Sequence, residues 1–249
     1  MSLFQNMTTD GLEAAEDRLG GFQVLATNAY TGTIKAAYAG KSTSSNAQSV
    51  SLIMDFGGKE YRETLWITNG KGENFFRNKD DTNKKVPLPG FTIIDDLCLV
   101  TTEKGLAQQA TEDKILNIYD VDAKKEIPKS VPMLVELLGK EVTLGIVKAI
   151  ENKQKKDANG VYQDTDETRE TNTTEKVFHH PSHLTVPEAR NGTTNATFYG
   201  AWVEKNRDVT RDKTKKTSAQ HGTTGRPGGP PQSTKNTGSS KTTSLFGAR

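Results

Sequence analysis

Residues 1–19 form a polar lead-in, with at most one helical turn around Leu12 to Leu19 before Gly20 and Gly21 stop it. From Phe22 the pattern changes to alternation with period two, the spacing of half-buried strands. GTIKAAYAG (32–40) is followed by the Ser-rich link KSTSSNAQ, then by SVSLIMDF (49–56) with Val50, Leu52, Met54 and Phe56 on one face. Gly57 and Gly58 turn the chain into KEYRETLWIT (59–68), a two-residue link of the kind that joins hairpins. The stretch 69–90 is rich in Gly, Asn, Lys and Asp and reads as a long exposed loop. After it Phe91, Ile94, Leu97, Cys98 and Leu106 recur near helical spacing, so a helix follows the third strand, with a second turn over 103–109.

KILNIYDV (114–121) reads as a short strand, and VPMLVELLGK (131–140) as a short helix with Pro132 near its start and Gly139 at its end. EVTLGIVKAIENKQ alternates again, with Val142, Leu144, Ile146 and Ile150 on one side. Asn159 and Gly160 mark a hairpin turn, and the polar run 163–176 reads as a projecting, mobile β-arm. Residues 179–195 are irregular and 195–205 supply a last strand. From Asn206 no strand or helix pattern survives, because Thr, Ser, Gly and Pro predominate and their side chains offset little of the entropy of ordering. The expected organisation is a polar segment over 1–19, a mainly β domain over 20–204 and a disordered basic tail over 205–249.

Charge sharpens that division. The net charge is +2, but the residues after Glu204 carry +8, which leaves −6 for the remainder. One cysteine, Cys98, excludes an internal disulfide and fits a reducing cytoplasm. The N-terminus lacks a basic segment followed by an apolar one, and no run of eighteen apolar residues occurs, so neither export nor a membrane partner is expected.

Catalytic chemistry finds little support in the residues, and the expectation is a protein that is not an enzyme, with no cofactor, metal or small-molecule substrate. His179, His180 and His183 in HHPSH have no Cys or second ligand group at a zinc-site interval and read as loop histidines. Asp80 with Asp81, and Asp95 with Asp96, fall in a Lys-rich loop and at a helix start, where carboxylates favour the helix dipole without any catalysis. No phosphate-cradling glycine loop and no nucleophile elbow follows a strand.

Aromatic rings interleaved with cations form the positive signal, since unpaired bases stack on rings while Lys and Arg follow the phosphates. Between Lys59 and Lys85 stand Tyr61, Trp66, Phe75 and Phe76 among Lys59, Arg62, Lys71, Arg77, Lys79, Lys84 and Lys85, together with five acids. If Tyr61, Leu65 and Ile67 face inward, Arg62, Thr64 and Trp66 share the open face. Trp66 beside Arg62 is then the leading stacking site. Tyr38 and Tyr61 read first as core packing and second as base contacts. Phe75 and Phe76, in a loop with little other apolar content, either cap the barrel or touch a ligand. Lys35 is out of phase with Ile34 and Ala36, which makes it a groove lysine or a plain solvated one. Tyr162, with Lys153, either clamps a bound strand or only closes the hairpin.

The succession GTIKAAYAGK, SVSLIMDF, KEYRETLWITNGKGENFF, the helix after PLPGF and LGKEVTLGIVKAIENK resembles the OB-fold single-stranded-DNA-binding proteins of tailed bacteriophages over about residues 22–203. The resemblance implies a five-stranded barrel with a helix after the third strand. It also implies stoichiometric coating of single-stranded DNA in replication, recombination or repair, with phage or host replication proteins as partners. Family binding surfaces on the middle strands and adjoining loops carry over to Lys35, Arg62, Trp66, Phe75, Phe76 and Arg77. The tail departs from the family, being basic where members typically end in an acid. It is expected to add nonspecific attraction to the phosphate backbone. Its tip, Ser244, Leu245 and Phe246, repeats the SLF of residues 2–4 by chance or as a partner-docking element. The competing reading is a phage structural or assembly protein with a β-rich core.

Overall fold

A computed structural model describes residues 24–120, 123–157 and 160–215. The polar lead-in and the tail from 216 onward, with its SLF tip, lie outside them. The first three strands form the expected meander, β1 (Asn28–Lys41), β2 (Gln48–Asp55) and β3 (Glu60–Trp66), paired antiparallel. Gly57 and Gly58 have φ of 65° and 90°, a conformation that a side chain would strain, and Asp55 Oδ1 accepts the Gly58 N–H at 2.7 Å. In β1 the register slips between Ile34 and Ala36, leaving Lys35 as the extra residue of a bulge. The bulge redirects the side chains: Ile34 and Ala37 join the main core while Ala36 joins a second cluster with Ile53, Val131 and Met133.

The segment 69–90 is not a plain loop. It holds a separate two-stranded sheet, β4 (Phe75–Arg77) with β5 (Lys85–Pro87). The helix that follows, α1 (Pro89–Thr102), starts with Pro in its first turn and buries Ile93, Ile94, Leu97 and Cys98 on one stripe. These meet Leu52 and Met54 of β2 and Tyr61 and Leu65 of β3 in the main core.

The second half contains β6 (Thr111–Asp120), β7 (Lys125–Leu134), β8 (Glu141–Lys156) and β9 (Tyr162–His179), then α2 (Val186–Arg190), α3 (Thr197–Asn206) and β10 (Thr210–Asp212). All strand pairs are antiparallel except β10 with β8. The large sheet has eight strands along the path β10-β8-β1-β2-β3, with β9 on β8, β7 on β1 and β6 on β7. The fold is therefore mainly β, and among the described residues no closed barrel of five strands is found: the ladder stops at the outer edge of β3. Among the described residues no helix is long and apolar enough to cross a membrane, which leaves membrane-crossing strands unaddressed.

Several local expectations are corrected. The expected helix over 131–140 is the end of β7 and a single 3-10 turn, Val135–Leu137. Val131 and Met133 are buried and Pro132 is exposed, a strand alternation that the spacing of Leu134 and Leu137 disguises. The expected last strand over 195–205 is helix α3, because Trp202, Val203 and Asn206 form one buried helical face. Gly145 on β8 makes room for its indole, since a methyl there would lie 3.0 Å from the Trp202 ring. The polar run 163–176, by contrast, is the expected β-hairpin arm: strand β9, antiparallel to β8. Segment 179–195, read as irregular, contains α2. Strand β10 lies in the stretch read as patternless. Arg211 anchors it with two bonds to Glu175 at 2.7 and 2.8 Å, and Glu175 also accepts the Trp202 Nε1–H at 3.2 Å. Burial alone would raise the Glu175 carboxyl, but Arg211 holds it below its ordinary value.

The close approach of α1 to β3 depends on Gly90, where a methyl would fall 2.3 Å from the Trp66 carbonyl oxygen. Both sides of that contact are backbone and cannot swing away. Gly90→Ala should therefore lower the unfolding free energy by about 1–3 kcal/mol. In a urea titration the midpoint should fall with little change in slope.

Candidate nucleic-acid interface

Strand β3 is anchored inward by Tyr61 and Leu65, and its outward set is Arg62, Thr64 and Trp66, as the alternation required. Trp66 is 49% exposed. Across from it on β2 stands Ser49, and across from Ser49 on β1 stands Gly40, so this row offers nothing bulky beside the indole. The next row is Thr64, Ser51 and Tyr38, with Thr64 and Ser51 hydroxyls 2.9 Å apart and Met133 of β7 opposite Tyr38. Tyr38 is only half buried, packed on Ala36, Ile53, Val131 and Met133. Arg62 contacts Glu60 and reaches Glu126 of β7 at 3.8 Å. The β6–β7 hairpin thus flanks the outer face near Arg62 and leaves the Trp66 end open.

The β4–β5 hairpin rises at that same end. It begins a few residues after Trp66, closes through the Leu88 N–H to the Asn74 carbonyl, and leads into Gly90 against the Trp66 backbone. Phe76 is 48% exposed, and Phe75 is half buried with the Lys85 ammonium 4.5 Å from its ring centre. Arg77 donates to the Thr82 carbonyl at 3.0 Å, and Asp80 and Asp81 shape the hairpin tip, where Asp81 Oδ1 accepts the Asn83 N–H. Lys79 and Lys84 are exposed and make no ion pair among the described residues. Trp66 thus ends the strand from which the chain passes into the separate hairpin that carries Phe75, Phe76, Arg77 and Lys79.

Other expected contacts stand elsewhere. Tyr61 is buried, 6% exposed, so it cannot offer a ring to a base. Its hydroxyl donates to Glu63 at 2.8 Å and lies 3.4 Å from Thr174 Oγ1 on β9. Lys35 pairs with Asp55 at 3.5 Å, the lot of an ordinary surface lysine. Lys59 is exposed at the Gly57–Gly58 turn. Lys153 is held by Glu167 at 2.9 Å, and Tyr162 is 61% exposed with Lys156 over its ring at 5.2 Å. Tyr162 is twelve residues along β9 from Thr174, about 40 Å at strand rise, so it does not join the Trp66 group. The arm's charges largely cancel, through Lys148 with Glu170, Arg169 with Glu151 and Lys153 with Glu167.

The three histidines make separate contacts, and the buried Nδ1 of His180 has no hydrogen-bond partner among the described residues. His179 Nδ1 lies 2.7 Å from Ser182 Oγ, His180 sits 3.7 Å from Glu141, and His183 stacks on Tyr199 at 4.1 Å. Sequence reading missed the small Ser49–Gly40 row, which only strand register brings beside Trp66. It also missed Ile115 and Tyr119, which stand outward on β6 at a spacing the alternation of KILNIYDV already contained. Comparison of the chain with family models, curated proteins and solved structures finds no match.

Where the ladder stops, side chains take over. The Glu63 carboxylate accepts the Thr174 N–H of β9 at 3.0 and 3.2 Å, joining the free edge of β3 to β9. Burial pushes the Glu63 carboxyl above its ordinary 4.5, despite the opposing bonds from Thr174 and Tyr61. Burial, with the Glu63 charge behind it, pushes the Tyr61 phenol up as well. A raised carboxyl favours folding fully below its unfolded value, and that contribution is lost as pH rises through the raised folded value. Glu63→Gln keeps an uncharged acceptor, so in chemical denaturation it should equal wild type below pH 4.5 and be the more stable protein at neutral pH. A variant less stable at neutral pH than in acid, relative to wild type, contradicts this assignment.

Proposed function

We propose that this chain binds single-stranded DNA stoichiometrically and without acting on it chemically, with unpaired bases lying across the outer face of β1–β3 and against the β4–β5 hairpin. The observation that carries the reading is a pair of half-exposed rings, Trp66 at the end of β3 and Phe76 on the hairpin that follows it, with Arg77, Lys79 and Lys85 on that hairpin. Rings on strands offer stacking platforms at fixed positions, and the neighbouring cations can follow the phosphates. The interface is sequence-independent on this view, because stacking and phosphate contacts carry no base code.

The architecture proposed to support it is OB-like and akin to the phage single-stranded-DNA-binding proteins. In its favour are three meandering strands, a helix after them, and later strands that return to both halves of a bulged β1. Coating of replication, recombination or repair intermediates is the corresponding role, with proteins of that machinery as partners and the cytoplasm as its setting.

Tryptophan emission tests the reading. Trp202 is buried and serves as a constant background, so added oligo-dT should quench the Trp66 contribution alone. Trp66→Ala and Phe76→Ala should each weaken binding roughly 5- to 150-fold, the worth of one stacked base. Lys79→Ala should lower the log–log salt slope by about 0.7. Undiminished emission on saturation, or full affinity in both ring variants, rejects this interface, and the structural-protein reading then stands.

A further inference from the structure

Strand β6 pairs with β7 alone, so one side of ten residues has no ladder partner among the described residues. Edges of that length are usually blunted by proline, a bulge or brevity. TEDKILNIYD contains neither proline nor glycine, and its ladder to β7 runs from Thr111 to Asp120 without a register shift. The prolines are on β7 and they fix which groups face the open edge. Pro128 is opposite Asn117 and Pro132 is opposite Asp113. Proline has no N–H, so these are the pairs that exchange no hydrogen bonds, and such pairs alternate along an antiparallel ladder. The N–H and C=O groups of Asp113, Ile115, Asn117 and Tyr119 therefore turn outward. The side chains of Ile115 and Tyr119 are 78% and 56% exposed.

We propose that two copies of this chain join through this edge, β6 antiparallel to β6, about a two-fold axis at Asn117. A two-fold perpendicular to the sheet keeps each face on its own side, so paired residues have equal parity and the axis passes through one residue. At Asn117 the register sets Lys114 opposite Asp120, Ile115 opposite Tyr119 and Leu116 opposite Ile118, each twice, with the two Asn117 residues facing. Opposite charges and apolar pairs directly across a ladder stabilise it, and like charges do the reverse. An axis at Leu116 would set Glu112 against Asp120, and one at Ile115 would set Lys114 against Leu116 and Glu112 against Ile118. The Asn117 register also makes Ile115 with Tyr119, and Asn117 with its counterpart, the hydrogen-bonded pairs, which are the residues whose backbone groups point outward. Lys114 and Asp120 touch Glu112 and Lys129 within their own chain, at 2.7 and 3.3 Å, so across the axis they extend a row of mixed sign. This inference does not depend on the nucleic-acid reading.

Sedimentation velocity of the full chain and cysteine cross-linking test it together. The wild type should sediment at twice the chain mass and dissociate on dilution. Asn117→Cys should be joined by diamide into a disulfide-linked dimer, because opposed Cα atoms in a hydrogen-bonded pair lie about 5.5 Å apart, within disulfide reach. Ile115→Cys should stay unlinked, its counterpart being four residues along, about 13 Å away. Cys98 is buried, with its thiol pushed up to about 12, and remains silent. Ile115→Lys, placing a cation opposite Tyr119 and next to Lys114, should sediment as a monomer with an unchanged far-ultraviolet circular dichroism spectrum. A wild type that is monomeric at every concentration overturns the proposal, as does cross-linking of Ile115→Cys in preference to Asn117→Cys.

Discussion

The burial of Tyr61 and Leu65 beneath α1 is the constraint from which the rest of the interface follows. With a two-residue repeat, anchoring those side chains inward obliges Arg62, Thr64 and Trp66 to face water. Apolar burial of this kind is worth about 25 cal/mol per Å² and holds the strand in one register, since a slip by one residue would turn both anchors outward. Gly90 lets α1 close over the end of β3, and the same approach brings the β4–β5 hairpin beside Trp66. Core packing and site geometry are thus one arrangement seen from two sides of a strand.

Ion pairing sorts the cations that composition alone cannot. Lys35, Arg62, Lys148, Lys153 and Arg169 each meet a carboxylate, so they contribute little net field. Exposed pairs of this kind add little to the fold and are weakened by salt. Among the described residues, Lys79 and Lys84 on the hairpin tip have no such partner, and Lys85 is turned onto a phenylalanine ring. The hairpin that carries Phe76 thus contributes cations without carboxylate partners, as Lys59, Lys140, Lys155 and Lys205 do elsewhere among the described residues.

The meander, the glycine turn at 57–58, the helix after Pro89 and the outward set on β3 were legible because each rests on short-range rules of alternation and turn geometry. Failures arose where a tertiary partner decided. Trp202 and Val203 lie in a segment that reads as strand until Gly145 and Glu188 are in place, the latter accepting the Phe198 N–H at the start of α3 at 2.9 Å. Val131 to Leu137 mix strand and helical spacing because they leave one apolar cluster and enter another. The polar run on β9 pairs with β8 as its hairpin turn implies, because polar side chains do not prevent a backbone ladder. Tyr61 shows the limit of reading aromatics near cations: its neighbours in sequence are charged, while its neighbours in space are Leu65, Glu63 and Thr174.

The central claim is positional, namely that unpaired bases lie on the Trp66 end of the β1–β3 face. Photo-cross-linking with an iodouracil-substituted oligonucleotide, followed by mass-spectrometric mapping of the attached peptides, measures that position directly. The account predicts attachment at Trp66 and at Phe75 or Phe76. Attachment confined to the α2–α3 side or to the distal β8–β9 hairpin, with the β3 and β4 peptides unmodified, would contradict it.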